Sequence, residues 1–187
     1  MAKIYIFRHG QTTDNKNHIF SGFRDVDLTL EGEEEAKKIG DELKDISVNK
    51  AYTSDQIRSK HTLELVLSNY HKNVEILEDP RIKERDYGNL TGLNKDDISN
   101  SDPRNYALWH RSYDIAPPEG ECIKDVEKRV LSFLNEEIPT WKKNDVIFIS
   151  AHGNSLRPMR KYFEHLTNDE MCSFEHTPAK VYFYKTE

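Results

Sequence analysis

Short apolar runs alternate along the chain with stretches in which apolar positions recur every three or four residues, a pattern that predicts strands separated by helices. Ile4-Tyr5-Ile6-Phe7 falls inside a buried strand over residues 3–8, and Val146-Ile147-Phe148-Ile149 inside another over residues 146–150. Shorter strands are expected at residues 48–53, 74–77 and 180–184. Between them, Ala36, Ile39, Leu43 and Ile46 mark a helix with Thr29 as its N-cap, and Ile57, His61, Leu65 and Tyr70 mark one capped by Ser54-Asp55. Ile123, Val126, Val130, Phe133 and Leu134 mark a third helix, ending near Pro139. Met159 and Phe163 belong to a fourth, capped by Asn154 and Ser155 with Pro158 in its first turn. Continuous apolar strands alternating with helices predict a mostly parallel mixed sheet covered on both faces, a three-layer α/β/α sandwich.

Residues 81–118 break this rhythm, being polar, aromatic and irregular in period. Connections that long usually carry function, so the segment is read as an active-site cover with one or two short helices. The chain of 187 residues, 36% hydrophobic, fills one core, and a single domain over residues 1–187 is expected. No apolar run approaches the roughly 20 residues of a membrane-crossing helix. Met1-Ala2-Lys3 leads into a strand rather than a secretory signal, so a cytoplasmic protein is expected. A net charge of −6 opposes nucleic acid or an anionic membrane as partner, so a phosphate ligand requires a local basic pocket. Cys122 and Cys172 read as structural thiols. The eight histidines form neither HExxH nor His-x-His, no dedicated metal site is expected, and both common glycine-rich nucleotide motifs are missing.

Arg8-His9-Gly10 and His152-Gly153 each follow directly on a long apolar run. Chain leaving the carboxyl ends of parallel strands lines the ligand crevice of an open α/β sheet, so the two turns can face one another. A neutral imidazole nitrogen can attack phosphorus and store the group, while an Arg and a second His neutralise the charge on its equatorial oxygens. Each histidine alone also fits a satisfied strand-end residue; the repetition of one setting favours a functional pair. Thr53 to Arg58 likewise runs from strand end to helix start, and the fork of Arg58 matches phosphate oxygens. Glu84 is the candidate general acid, its pKa expected to rise through burial against Tyr87 and nearby carboxylates.

These residues resemble the histidine phosphatases, and within them the phosphoglycerate mutases that use 2,3-bisphosphoglycerate, over almost the whole chain. The superfamily likeness rests on Arg8-His9-Gly10, Arg58 and His152-Gly153. It implies that His9 is the phosphorylated nucleophile, that Arg8, Arg58 and His152 grip the phosphoryl group, and that Glu84 is the proton donor. Residues 21–28, 84–88, 92–95 and 111–118 and the run His152-Gly153-Asn154-Ser155-Leu156-Arg157 resemble the mutase branch. By that likeness Asn15, Ser21, Gly22, Arg85, Tyr87, Lys95, His110, Arg111, Gly153 and Asn154 hold the phosphate and carboxylate of phosphoglycerate.

Three features depart from that branch. Gln11 and Asp14 stand where mutases usually carry an acidic residue and a tryptophan. His110-Arg111 replaces an Arg pair, which implies a weaker or pH-dependent grip on a doubly phosphorylated ligand because His titrates near neutrality. The segment between Pro118 and Cys122 is short and no tail follows the last strand, which implies more leakage to water. The resemblance implies a phosphoglycerate mutase-like fold that interconverts 3-phosphoglycerate and 2-phosphoglycerate in glycolysis and gluconeogenesis. It also implies 2,3-bisphosphoglycerate as priming donor, no metal and small phosphoglycerates as ligands; a homo-oligomer stays open. Two alternatives remain: a phosphatase acting on small phosphomonoesters, and a non-catalytic module that binds phosphorylated ligands.

Overall fold

The computed structural model describes residues 1–68, 70 and 74–186. The chain runs through β1 (Lys3–Arg8), α1 (Thr13–Lys16), α2 (Leu30–Leu43), β2 (Lys50–Thr53), α3 (Ile57–Leu67), β3 (Glu75–Glu78), α4 (Lys95–Ser101) and α5 (Pro103–Arg111). It continues through α6 (Ile123–Glu137), β4 (Val146–Ala151), α7 (Gly153–Glu164), α8 (Asn168–Ser173) and β5 (Val181–Lys185). Among the described residues, five strands form one sheet in the order β3-β2-β4-β1-β5; β5 is antiparallel to β1 and the other pairings are parallel.

The two long apolar runs take the inner positions β1 and β4, where both faces are covered. On one face Ile4, Ile6, Ile147 and Ile149 pack with Val126, Val130 and Phe133 of α6 and Leu156 and Met159 of α7. On the other, Phe7 and Phe148 pack with Ile39 and Leu43 of α2 and Leu63 and Val66 of α3. Each side chain so buried contributes about 1.5–3 kcal/mol, and only strands apolar at consecutive positions can serve both layers. The architecture is the expected three-layer α/β/α sandwich. Its register carries the site: Arg8 pairs with Ala151, and the His9 N–H donates to the Ala151 carbonyl at 2.9 Å, so the two His-Gly turns leave neighbouring strands side by side.

Strand limits differ from the expected ones by two residues at most, but two helix starts differ in kind. Thr29 does cap α2, accepting from the Gly32 N–H at 3.1 Å. Ser54-Asp55 does not cap α3: Gln56 is the N-cap, and Asp25, far away in sequence, accepts from the Ile57 N–H at 2.7 Å. Asn154 and Ser155 lie inside α7, whose N-cap is His152, so Pro158 sits in the helix interior rather than its first turn. The short α1 arises because Thr12 and Asn15 cap each other, and α8 because Thr167 and Glu170 do the same; neither has apolar periodicity to announce it. The cover at residues 81–118 contains α4 and α5, as expected, with one 3-10 turn at its start (Pro80–Ile82) and another inside it (Gly88–Leu90).

The turn after β1 touches the start of α2 backbone to backbone. A Cβ on Gly32 would stand 2.1 Å from the Gln11 carbonyl oxygen. Gly32→Ala is therefore expected to destabilise the fold by about 3 kcal/mol, the upper end of ordinary overpacking, because both partners are backbone. Urea unfolding measures it; a midpoint equal to the wild type would contradict this contact.

Candidate active site

His9 emerges at the end of β1, nearly inaccessible at 4% exposure. Its Nδ1 lies 2.7 Å from the Gly10 carbonyl, which can only accept, so Nδ1 carries the proton and Nε2 keeps its lone pair. His152 follows β4, and its backbone N–H donates to Ser155 Oγ at 3.0 Å, which orients the first turn of α7. Its Nε2 lies 2.7 Å from Ser54 Oγ, which also accepts from the Gln56 N–H at 3.2 Å. Nδ1 of His152 is buried and has no hydrogen-bond partner. The ring centroids are 4.9 Å apart. Burial first, then the charges of Arg8 and Arg58 at His9 and of Arg58 at His152, hold both pKa values well below the ordinary histidine range. Both rings are neutral at pH 7, as a phosphorus nucleophile requires.

Arg58 is fully buried on α3, but its fork is used differently from the expectation. Nη1 donates to the Arg24 carbonyl at 2.7 Å and Nη2 to the Gly22 carbonyl at 3.0 Å, so the fork props the 22–25 turn and Nε is left unpaired. Arg8 also holds a buried unpaired Nε. Glu84 is positioned by Arg129 of α6, which donates to the carbonyls of Arg81, Lys83 and Glu84 at 2.7–2.8 Å and pairs with Glu121 at 2.9 Å. Glu84 Oε1 accepts from the Arg85 N–H at 2.7 Å and from the backbone and side-chain amides of Asn154 at 3.1 and 2.9 Å. Burial alone would raise the Glu84 pKa, but Arg58, the Arg85 N–H, Asn154 and Arg8 together bring it below the ordinary carboxylate value. The expected rise is thus reversed, because the fold surrounds Glu84 with cations and N–H donors rather than carboxylates.

Nε2 or Nδ1 of His9 and His152 and an oxygen of Glu84 lie within 4.8 Å of one another. Two nitrogens and a carboxylate can also ligate a divalent ion. Here Arg8 and Arg58 set fixed positive charge against the cluster, and that field suits an anion.

Every expected ligand-binding residue except Arg85 lines one cavity of about 200 Å³, with Arg8 and Glu84. Asn15 presents its amide there while its Oδ1 accepts from the Thr12 N–H at 3.2 Å. Arg85 is wholly buried beside the Tyr87 ring; its Nε donates to the Glu121 carbonyl at 2.6 Å and both Nη atoms are unpaired. His9, Arg58 and His152 do not line this cavity; His9 borders a second, smaller one that shares Arg8 and Asn15 with the first. His110 lies in the main cavity but does not titrate near neutrality: burial, then Arg111 and Lys95, push its pKa down to about 3.

Sequence reasoning missed four lining residues as site residues: Ile19, Arg157, Glu175 and His176. Arg157 lies one turn beyond Asn154 on α7, a spacing that could have revealed it, and it donates to the Met171 and Cys172 carbonyls at 2.8 and 3.0 Å. Glu175 and His176 follow α8 in an aperiodic connection with no sequence signal. Glu175 pairs with Arg111 at 2.6 Å across the cavity rim.

The neutral histidines fix a pH dependence. Below about pH 6.5 the unfolded chain binds protons at positions 9 and 152 that the fold excludes, so each of these buried rings lowers stability by about 1.4 kcal/mol per pH unit as pH falls. Glu84, depressed in the fold, loses its own contribution only as pH falls further, below its unfolded value of about 4.3. Thermal unfolding between about pH 7 and about pH 5 should show a steadily falling midpoint; a midpoint independent of pH would contradict neutral rings.

The family model described as the histidine phosphatase superfamily (branch 1) matches residues 4–187. A 2,3-bisphosphoglycerate-dependent phosphoglycerate mutase of Parvibaculum lavamentivorans is 39% identical over 175 residues, covering 91% of this chain and 83% of its own. Among solved structures, Bacillus stearothermophilus YhfR superposes with a TM-score of 0.90 at 25% identity, covering all of this chain and 92% of its own. An alpha-ribazole phosphatase from Shigella flexneri superposes with a TM-score of 0.81 at 25% identity, covering 97% of this chain and 89% of its own.

Proposed function

This chain belongs to the histidine phosphatase superfamily, and from that premise we propose that it interconverts 3-phosphoglycerate and 2-phosphoglycerate through a phosphohistidine at His9. The observation that carries this reading is the set of buried donors without acceptors. Arg8 Nε and Arg58 Nε supply them around His9, and both Nη atoms of Arg85 supply them beside Tyr87. A buried unpaired donor costs about 1–3 kcal/mol, more when charged, and an anionic ligand removes that penalty. Donors in two groups suit a ligand with two anionic ends, a phosphate and a carboxylate. They suit 2,3-bisphosphoglycerate equally, which would supply the priming phosphoryl group when bound.

In this reading His9 Nε2 attacks phosphorus, and Arg8 and Arg58 neutralise the equatorial oxygens, with the His152 ring beside them. Glu84, protonated when it takes the hydroxyl proton in the opposite transfer, gives that proton to the departing oxygen. In the reverse direction the P–N bond of phospho-His9 breaks as a ligand hydroxyl oxygen bonds to phosphorus, and Glu84 takes that hydroxyl proton. An ionised Glu84 is ready for this second role. Asn15, Ser21, Gly22, Tyr87, Lys95, Arg111, Gly153 and Asn154 would orient the ligand, with Arg85 braced behind them. The charges around His9 support catalysis without a metal. A single domain working in the cytoplasm on small phosphoglycerates belongs to the same proposal; among the described residues, no helix is long and apolar enough to cross a membrane.

One observation favours hydrolysis as a second reading. Glu175 occupies Arg111, and His110 is neutral, so this rim offers less free positive charge to a second phosphate than an Arg pair would. An enolase-coupled assay on 3-phosphoglycerate, with and without 2,3-bisphosphoglycerate and with chelator present, separates the two while free phosphate is followed. Cofactor-stimulated 2-phosphoglycerate without matching phosphate supports the mutase; phosphate with little isomerisation supports the phosphatase.

A further inference from the structure

His176 lies in the connection between α8 and β5 and lines the main cavity. Both of its ring nitrogens are buried and neither makes a hydrogen bond of good geometry, although the Gly153 backbone lies beside it. Its ring packs edge-on against Phe174, with centroids 4.9 Å apart and planes at 90°, which fixes its orientation. A Cβ on Gly153 would lie 3.2 Å from His176 Nε2 and 3.5 Å from Glu84 Oε2, so the bare Cα of Gly153 opens a gap bordered by both atoms. Glu84 Oε2 is the oxygen left over when Oε1 accepts from Arg85 and Asn154.

We propose that His176 is a substrate-contacting residue that hydrogen-bonds the oxygen exchanging a proton with Glu84 Oε2, and so aims that oxygen at the phosphorus on His9. Burial, then Arg8, Arg157 and Arg111, hold its pKa down to about 2, so it meets the ligand as a neutral ring with one donor and one acceptor. Such a ring serves both directions of transfer. Its N–H supports the lone pair of a leaving oxygen, and it steadies an attacking hydroxyl or water while the hydroxyl proton passes to Glu84. The inference rests on the phosphoryl-transfer reading but not on whether the acceptor is a sugar-acid hydroxyl or water.

His176→Phe keeps the flat ring against Phe174 and removes both nitrogens; His176→Gln restores a donor and an acceptor. The ratio of each variant to the wild type is read from 3-phosphoglycerate isomerisation and from p-nitrophenyl phosphate hydrolysis. His176→Phe should lose about ten- to a hundredfold in kcat/KM on whichever transfer the wild type performs, at an unchanged thermal midpoint, and His176→Gln should recover to within about threefold. His176→Phe within about twofold of the wild type, or His176→Gln no better than His176→Phe, overturns the inference while leaving the phosphoryl-transfer reading intact. A wild type inert in both assays overturns that reading and this inference with it.

Discussion

His9→Ala is expected to lower turnover by about ten-thousandfold or more, because it deletes the atom on which the phosphoryl group is carried. No neighbour can replace it. His152 is equally neutral and its ring centroid lies 4.9 Å away, but its Nε2 is engaged by Ser54 Oγ, which holds the ring where it cannot take the place of His9. The loss should fall on kcat, since Arg8, Arg85, Lys95 and Asn154 remain to bind ligand. The variant should also lose part of the falling stability below about pH 6.5, because one excluded proton site is gone. Steady-state turnover together with ligand titration checks both parts; activity within about tenfold of the wild type would remove His9 from the chemistry.

Glu84→Gln is expected to reduce kcat by about a hundred- to ten-thousandfold, the range of a positioned acid-base group. Gln keeps an oxygen for the three N–H donors that converge on Oε1, so the loop stays in place, but an amide cannot take the proton of an attacking hydroxyl. Arg58 and Arg8 lose a buried counter-charge at the same time. A fall in stability should therefore accompany the loss of rate, visible as a lower thermal midpoint that ligand partly restores. A variant with wild-type kcat would assign the proton to another group.

The sandwich and the paired histidines were legible because they depend on local pattern. A four-residue apolar run can be buried on both faces only at the centre of a sheet, and the register of β1 on β4 then brings His9 beside His152. The cap assignments for α3 and α7 failed because residues with good capping chemistry are claimed by the site. Ser54 serves His152, and the amide of Asn154 serves Glu84 and the Tyr87 hydroxyl, so Asp25 and His152 take over the helix starts. The sign of the Glu84 pKa was illegible for a related reason. The chain places Asp86 two residues away, but the fold turns Asp86 Oδ1 to the Gly88 N–H and brings Arg58 from the first turn of α3 and Arg8 from the end of β1. Arg129, Glu175 and His176 act only through tertiary approach, which no spacing announces.

Phosphoryl transfer through His9 is tested most directly by finding where the group resides. The wild-type protein is mixed with labelled 2,3-bisphosphoglycerate, quenched and digested under alkaline conditions that preserve phosphohistidine, and the labelled peptide and ring nitrogen are identified. The structure predicts an acid-labile label on Nε2 of His9, since Nδ1 is held by the Gly10 carbonyl. Label on His152, on an acid-stable hydroxyl, or on no residue at all would contradict it.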